Sequence, residues 1–314
     1  MKKYQKGKTE MDRRNFLKMA AIAGAGLYMP GAVNKLTGNL EASNKIDLAV
    51  ATGLSPSEIT RASINALGGI NKFISRGDIV IVKPNIAFDR LPEHAANTNP
   101  EVVATVVKMC HEAGARRVKV FDRTVNDPRR SYVQSGIANA ARAAGAEVSF
   151  VDERKFRDVD IKGIALRSWP IYEEILDADK VINIPIAKHH SLARLTMAMK
   201  NWMGVIGGSR RQLHQRLNES LVDLTMAIKP AHTLTILDAV RILVANGPQG
   251  GRLEDVRKID TVIAGVDEVS VDSFGATLFG LKGSDLGYVR IADRIGLGVM
   301  DISRLNIKRI TIES

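Results

Sequence analysis

The chain has little cysteine: Cys110 stands alone in 314 residues. One thiol forms no internal disulfide, and it holds no thiolate iron–sulfur cluster or zinc-finger cage. Aromatic residues are scarce, at 5%, and no basic stripe interleaved with aromatics is present, which speaks against nucleic-acid binding. Long hydrophobic runs are missing too. The apolar run Met19–Met29 (MAAIAGAGLYM) falls well short of the ~20 residues that a membrane span needs. With 26 glycines and 10 prolines, collagen-like and wholly disordered classes are excluded. What is abundant is ordinary: 45% hydrophobic and 25% charged residues suit a soluble globular chain with a sizeable core.

Net charge is +11, unevenly spread. Residues 1–41 hold eight of the 45 basic residues and three of the 34 acidic ones, leaving 37 basic against 31 acidic beyond them. That remainder gives no reason to expect a nucleic-acid partner. Residues 12–18 read Asp-Arg-Arg-Asn-Phe-Leu-Lys and precede the short Ala/Gly-rich run. This segment resembles a twin-arginine export signal. The resemblance implies the twin-arginine translocation machinery as a partner and a periplasmic or other extracytoplasmic location. Leu40–Ser43 is where a mature protein would begin, and an uncleaved segment would instead serve as an anchor. The expected organisation is a signal region, 1–41, and one α/β domain, 42–314. A basic, frayed N-terminal helix is the alternative.

Beyond the leader, short β-branched runs alternate with amphipathic stretches. Strands are expected at 47–51, 78–83, 118–121, 147–151, 180–184, 233–237 and 261–264. Helices are expected at 57–67, from Thr98 to Gly114, at 132–144, 172–176, 212–229 and 269–279, with 152–168 a charged surface excursion. Strands alternating with helices imply βαβ units and a largely parallel sheet with helices on both faces.

Parallel sheets collect ligands at the carboxyl ends of their strands. Those ends carry Lys83-Pro-Asn85, Asp122, Lys188-His189-His190 and Asp238. Lys83, Lys188 and Lys200 are candidate sources of positive charge, His189 of a proton, and Asp122 or Asp238 of orientation. Asn85, Asn99, Asn201, Gly207 and Gly208 are candidate substrate-binding positions. Asn99 has a strong structural explanation as a helix cap, so a site role is the lesser reading. The Gly207-Gly208 turn reads equally as a plain connection, and Arg210-Arg211 and His214 read equally as phosphate contacts or as solvated helix ends. Two adjacent histidines on a loop do not readily face one metal, so no metal site is expected. Neither the P-loop nor the dinucleotide fingerprint is present, so ATP and NAD find no support. Any cofactor remains unidentified.

Six ordered motifs resemble the family called domain of unknown function 362. They are Ile-Val-Lys83-Pro84-Asn85, Thr98-Asn99-Pro100-Glu101, Glu112-Ala-Gly-Ala115, Ile-Pro185-x-x-Lys188-His189-His190, Met199-Lys200-Asn201-x-Met-Gly204 and Ile236-Leu-Asp238-Ala. Relatives often carry a ferredoxin-like, cysteine-rich segment that this chain lacks. The resemblance therefore implies, for a redox role, a separate iron–sulfur electron carrier. The leading expectation is an enzyme acting on a small anionic substrate. A redox protein with such a partner and a non-catalytic binder of an anionic ligand are the alternatives.

Overall fold

Ser55 shows how local chemistry starts this fold. Its side chain accepts the Glu58 N–H while Pro56 occupies the first helical position, so a donor that a helix start leaves orphaned is satisfied at once. A computed structural model describes residues 45–313. The twin-arginine segment, the apolar run and Leu40–Ser43 lie outside the described residues.

In chain order, β1 (Leu48–Thr52), α1 (Pro56–Ala66), β2 (Ile79–Pro84), α2 (Pro100–Glu112), β3 (Arg117–Val120), α3 (Pro128–Gln134), α4 (Ile137–Ala143) and β4 (Glu147–Val148) come first. Next are β5 (Phe156–Asp160), β6 (Ser168–Tyr172), α5 (Glu173–Leu176), β7 (Lys180–Ile184), β8 (Ile186–His190), β9 (Arg194–Thr196), α6 (Ala198–Asn201), α7 (Arg210–Leu213) and α8 (Leu217–Ile228). β10 (His232–Leu243), β11 (Val256–Gly265), α9 (Glu268–Thr277), α10 (Gly287–Arg294) and β12 (Ile307–Thr311) complete the chain.

One 10-stranded sheet runs in the order β12-β1-β11-β10-β7-β2-β3-β4, with β8 paired to β10 and β9 to β8. From β10 through β7, β2 and β3 to β4 every pairing is parallel. The sheet is thus mostly parallel, as expected. β11 is antiparallel to both β10 and β1, because the segment joining β10 to β11 holds only one short 3-10 turn and no crossover helix. Side chains alternate between two apolar layers. Ile81, Val181 and Leu237 pack with Trp202, Leu224 and Phe274 on one face. Val80, Val82 and Ile236 pack with Ile59, Val103 and Val107 on the other.

The structure departs from expectation at five places. The helix expected at 132–144 is two helices, α3 and α4, because Gly136 takes φ 71° between them, a conformation open to glycine. The long helix expected at 212–229 is broken by a 3-10 turn at His214–Arg216, although Leu213, Leu217, Leu221 and Leu224 are all buried. The strand expected at 147–151 ends at Val148. The charged excursion contains β5, which forms an antiparallel ladder with β6. Residues 186–190, expected as loop, are the strand β8.

Candidate functional site

β2 and β7 end together beside β10, which runs on to Leu243, and Lys83 stands near the tip of β2 opposite Asn183 of β7. The Lys83 side chain is wholly buried and pairs with Asp122, just beyond β3, at 2.8 Å. Its Nζ also donates to Pro84 O at 2.8 Å and Asn201 Oδ1 at 2.9 Å. Burial pulls the Lys83 pKa down and Asp122 pulls it up, with a net lowering. Asp122 Oδ2 accepts the Ile86 N–H at 2.6 Å. The chain passes so close here that a Cβ on Gly204 would lie 1.7 Å from Asp122 Oδ1 and 2.6 Å from Lys83 Nζ. Only glycine fits.

Asn201 knits the floor together. Its Oδ1 accepts Asn85 Nδ2 at 3.0 Å and its Nδ2 donates to Asn183 Oδ1 at 2.8 Å. Asn183 Nδ2 in turn donates to Glu268 Oε1 at 2.9 Å. Asn85 Oδ1 accepts Lys188 Nζ at 3.0 Å, and Lys188 also donates to Ala96 O. The helix that presents Lys200 and Asn201, α6, is a single turn. It is held by Asp272, whose carboxylate accepts the Ala198 and Met199 N–H groups at 2.6 and 3.1 Å. Burial drives the Asp272 pKa up against those two bonds.

Lys83, Asn85, Asp122, Lys188, Lys200, Asn201 and Gly204 border a cavity of about 770 Å³. Besides the Lys83–Asp122 pair, Lys188, Lys200 and Arg210 line it, and none of the three makes an ion pair among the described residues. Lys188 lies 4.9 Å over the Phe88 ring. Burial, opposed by the attraction of Asp122 and aided by repulsion from Lys200 and Lys83, takes its pKa down to about 7. Lys200 donates only to the Met203 thioether, at 3.2 Å. Burial and then the Arg210 charge lower its pKa to about 7 as well. Arg210 donates to the Thr124 and Arg123 carbonyls and leaves its Nε without a partner.

Two histidines close the wall. His190 and His214 stack with ring centres 6.5 Å apart. His190 Nδ1 accepts the Leu192 and Ala193 N–H groups at 3.1 and 3.2 Å, which assigns the ring proton to Nε2. Burial, then the charges on Lys200 and His214, hold its pKa down to about 3. His190 is therefore a neutral N–H donor at physiological pH. Cys110 lies in the core, where burial pushes its thiol up to about 12, so it offers no thiolate.

Of the residues singled out in the sequence, Lys83, Asn85, Asp122, Lys188, Lys200, Asn201 and Gly208 line this cavity. Four do not. His189 points to the other face of β8, where its Nδ1 accepts the Gly247 N–H at 3.1 Å. Asn99 caps α2, accepting the Glu101 N–H at 2.8 Å. Asp238 is buried and accepts the Asn99 and Val240 N–H groups at 2.7 and 3.0 Å, and burial raises its pKa to about 6. Gly207 pairs with Pro170 and Trp169 through its backbone. Arg210 and His214, which read equally as phosphate contacts or solvated helix ends from the sequence, line the cavity as well, and so does His190, which the sequence left beside His189 on a loop with no role of its own. Strand parity finds His190: once 186–190 is a strand, Lys188 and His190 share a face and His189 does not. Among the described residues no group of three or more His, Cys, Asp and Glu is placed to hold a metal. No helix there is long and apolar enough to cross a membrane.

A thylakoid-associated protein of Synechocystis sp. is 28% identical over 246 residues, covering 76% of this chain and 74% of that protein. Two solved structures are more distant. A Thermotoga maritima protein has 10% identity and a TM-score of 0.41, over 63% of this chain and 54% of that one. The lactate racemase apoprotein of Thermoanaerobacterium thermosaccharolyticum has 10% identity and a TM-score of 0.40, over 71% and 55%. This chain thus spans little more than half the length of either. Residues 80–277 match a family pattern that takes in every residue of the cavity wall described above, and the chain belongs to that family, Domain of unknown function (DUF362).

Proposed function

We propose that the chain is an enzyme that binds a small anionic substrate in this cavity. One observation carries the reading: Lys188, Lys200 and Arg210 line one cavity with no carboxylate paired to any of them. Buried charge without a counter-charge is costly, and an anionic ligand relieves that cost. Lys188 and Arg210 supply charge stabilisation. His190 donates a hydrogen bond from Nε2 as a neutral group. Lys200, with its pKa near 7, exchanges a proton at neutral pH, where general acid–base catalysis is most effective. Preplaced cations of this kind are a large catalytic term.

Calorimetric titration with small dicarboxylates and phosphate compounds tests the binding step. Wild type is expected to bind at least one of them, and Lys200→Met and Arg210→Met to bind it roughly tenfold or more weakly, the value of a charge-assisted hydrogen bond. A wild type indifferent to every such anion, or variants that bind as well as wild type, would overturn the reading. Affinity for a non-reacting dianion is expected to fall as pH rises through 7 to 8, because Lys188 and Lys200 then lose their protons.

The setting is part of the proposal. The twin-arginine segment directs export, and the similarity to a thylakoid-associated protein is in keeping with work at or beyond a membrane. Replacing Arg13 and Arg14 by lysine in a reporter fusion is expected to keep the reporter in the cytoplasm. Undiminished export would sink that part.

A further inference from the structure

Three lysines line the cavity, and their surroundings divide the labour among them. Lys83 is neutralised by Asp122 at 2.8 Å. Lys188 is held by Asn85, Ala96 O and the Phe88 ring, an ammonium cradle with neutral acceptors on every side. Lys200 has neither arrangement. It is 7% exposed, borders the cavity, and its nitrogen meets only the sulfur of Met203. A thioether is a weak acceptor, so nothing on the protein holds the proton there. The cavity wall also carries Thr196, whose Oγ1 is buried and without a partner. An amine with no anchor, in a cavity where cations outnumber carboxylates, is placed to react and not to clamp.

We infer that Lys200 captures the carbonyl of a small oxo acid as an imine, while Lys188 and Arg210 hold the acid's carboxylate. This rests on the anion-site reading and names its substrate class. The bookkeeping needs no oxidant and no cofactor. The Lys200 nitrogen lone pair forms the new bond to the carbonyl carbon, and the carbon–oxygen bond breaks. The two amine hydrogens leave with that oxygen as water. The His190 Nε2–H is the donor available to the carbonyl oxygen as its charge grows, and Thr196 Oγ1 is a second. A free amine is what such a step consumes, and the lowered Lys200 pKa keeps about half of it unprotonated near pH 7.

The test is reductive trapping on the full chain. The protein is incubated with glyoxylate or pyruvate and cyanoborohydride at pH 7, then weighed and mapped by mass spectrometry. The expected product is one adduct, the mass of the acid less one oxygen, on Lys200. It is expected to form roughly tenfold or more faster there than on an exposed lysine such as Lys162. Mapping the wild type does not depend on any variant folding. Lys200→Arg, checked by its Tm, is expected to lose the adduct, and 2-hydroxy acids to give none. Thermal stabilisation by the oxo acid without an adduct on Lys200, or an adduct on Lys188 instead, would overturn the imine and leave the anion site standing. Neither stabilisation nor adduct with any oxo acid would overturn the imine and its substrate class, and indifference to dicarboxylates and phosphate as well would overturn the anion site with them.

Discussion

Lys200 is a costly side chain to bury when no ligand is bound. Its folded pKa is about 7 against an ordinary 10.5, so the unfolded chain binds the extra proton between those values. The resulting penalty is fully present below pH 7 and fades as pH rises towards 10.5. Lys200→Met, which keeps the volume and drops the charge, is expected to raise stability by a few kcal/mol at pH 6 and by little at pH 10, as read from urea unfolding. Equal gains at both pH values would contradict this. Gly204 presents the opposite case. A methyl group there meets Asp122 Oδ1 at 1.7 Å and Lys83 Nζ at 2.6 Å, so the ion pair must part or the chain must move. Gly204→Ala is expected to destabilise the fold by roughly 3 kcal/mol, between the cost of overpacking and that of breaking a buried pair. Anion binding is expected to be lost with it.

β8 and the α2 cap show what elements contribute. Read as loop, Lys188-His189-His190 offers three side chains in unknown directions. As a strand it offers two inward and one outward, with the burial pattern BBBiB over Ile186–His190. The missed cue was length: β8 is five residues long and stands on β10 and β9. Its pairing comes from distant segments, not from its own hydrophobic pattern. Asp238 looked catalytic because it ends the conspicuous apolar run Thr233–Leu237. In the fold that run continues to Leu243, and the carboxylate ties the start of α2 to β10 through the Asn99 N–H. Asp238→Ala leaves two backbone donors unsatisfied in a buried place. It is expected to lower stability by about 2 kcal/mol while anion affinity stays within roughly twofold of wild type. A variant that folds normally and fails to bind would make Asp238 a site residue after all.

At the scale of the whole molecule, the sheet sets where the chemistry sits. Helices cover both faces, so the open end of the parallel strands is where polar side chains converge without interrupting a core. The far edge has a different task. β12 lies parallel on β1, whose residues Leu48–Ala51 are buried. A chain ending before Asn306 is expected to expose that strand and to aggregate, as light scattering would show. Full solubility of the shortened chain would argue that another segment covers β1.

Periodicity within a few residues determined much of this protein. The strands expected at 47–51, 78–83, 118–121 and 180–184, the cap that opens α2, the mostly parallel sheet and the lysines at strand tips are all local properties, read from windows the length of one element. The single cysteine settled which cofactor cages the chain does not build by itself. Tertiary structure alone decided which polar groups meet. Lys83 and Asn201 are 118 positions apart, and Lys188 and Asn85 are 103 apart. Only the fold makes Lys83 half of an ion pair, Lys188 an anchor and Lys200 an amine with no oxygen to bind. The physical reason is range. Helix and strand preferences act over one turn or one pleat, whereas burial, and with it the charge state of every lysine here, depends on what the whole chain brings around it.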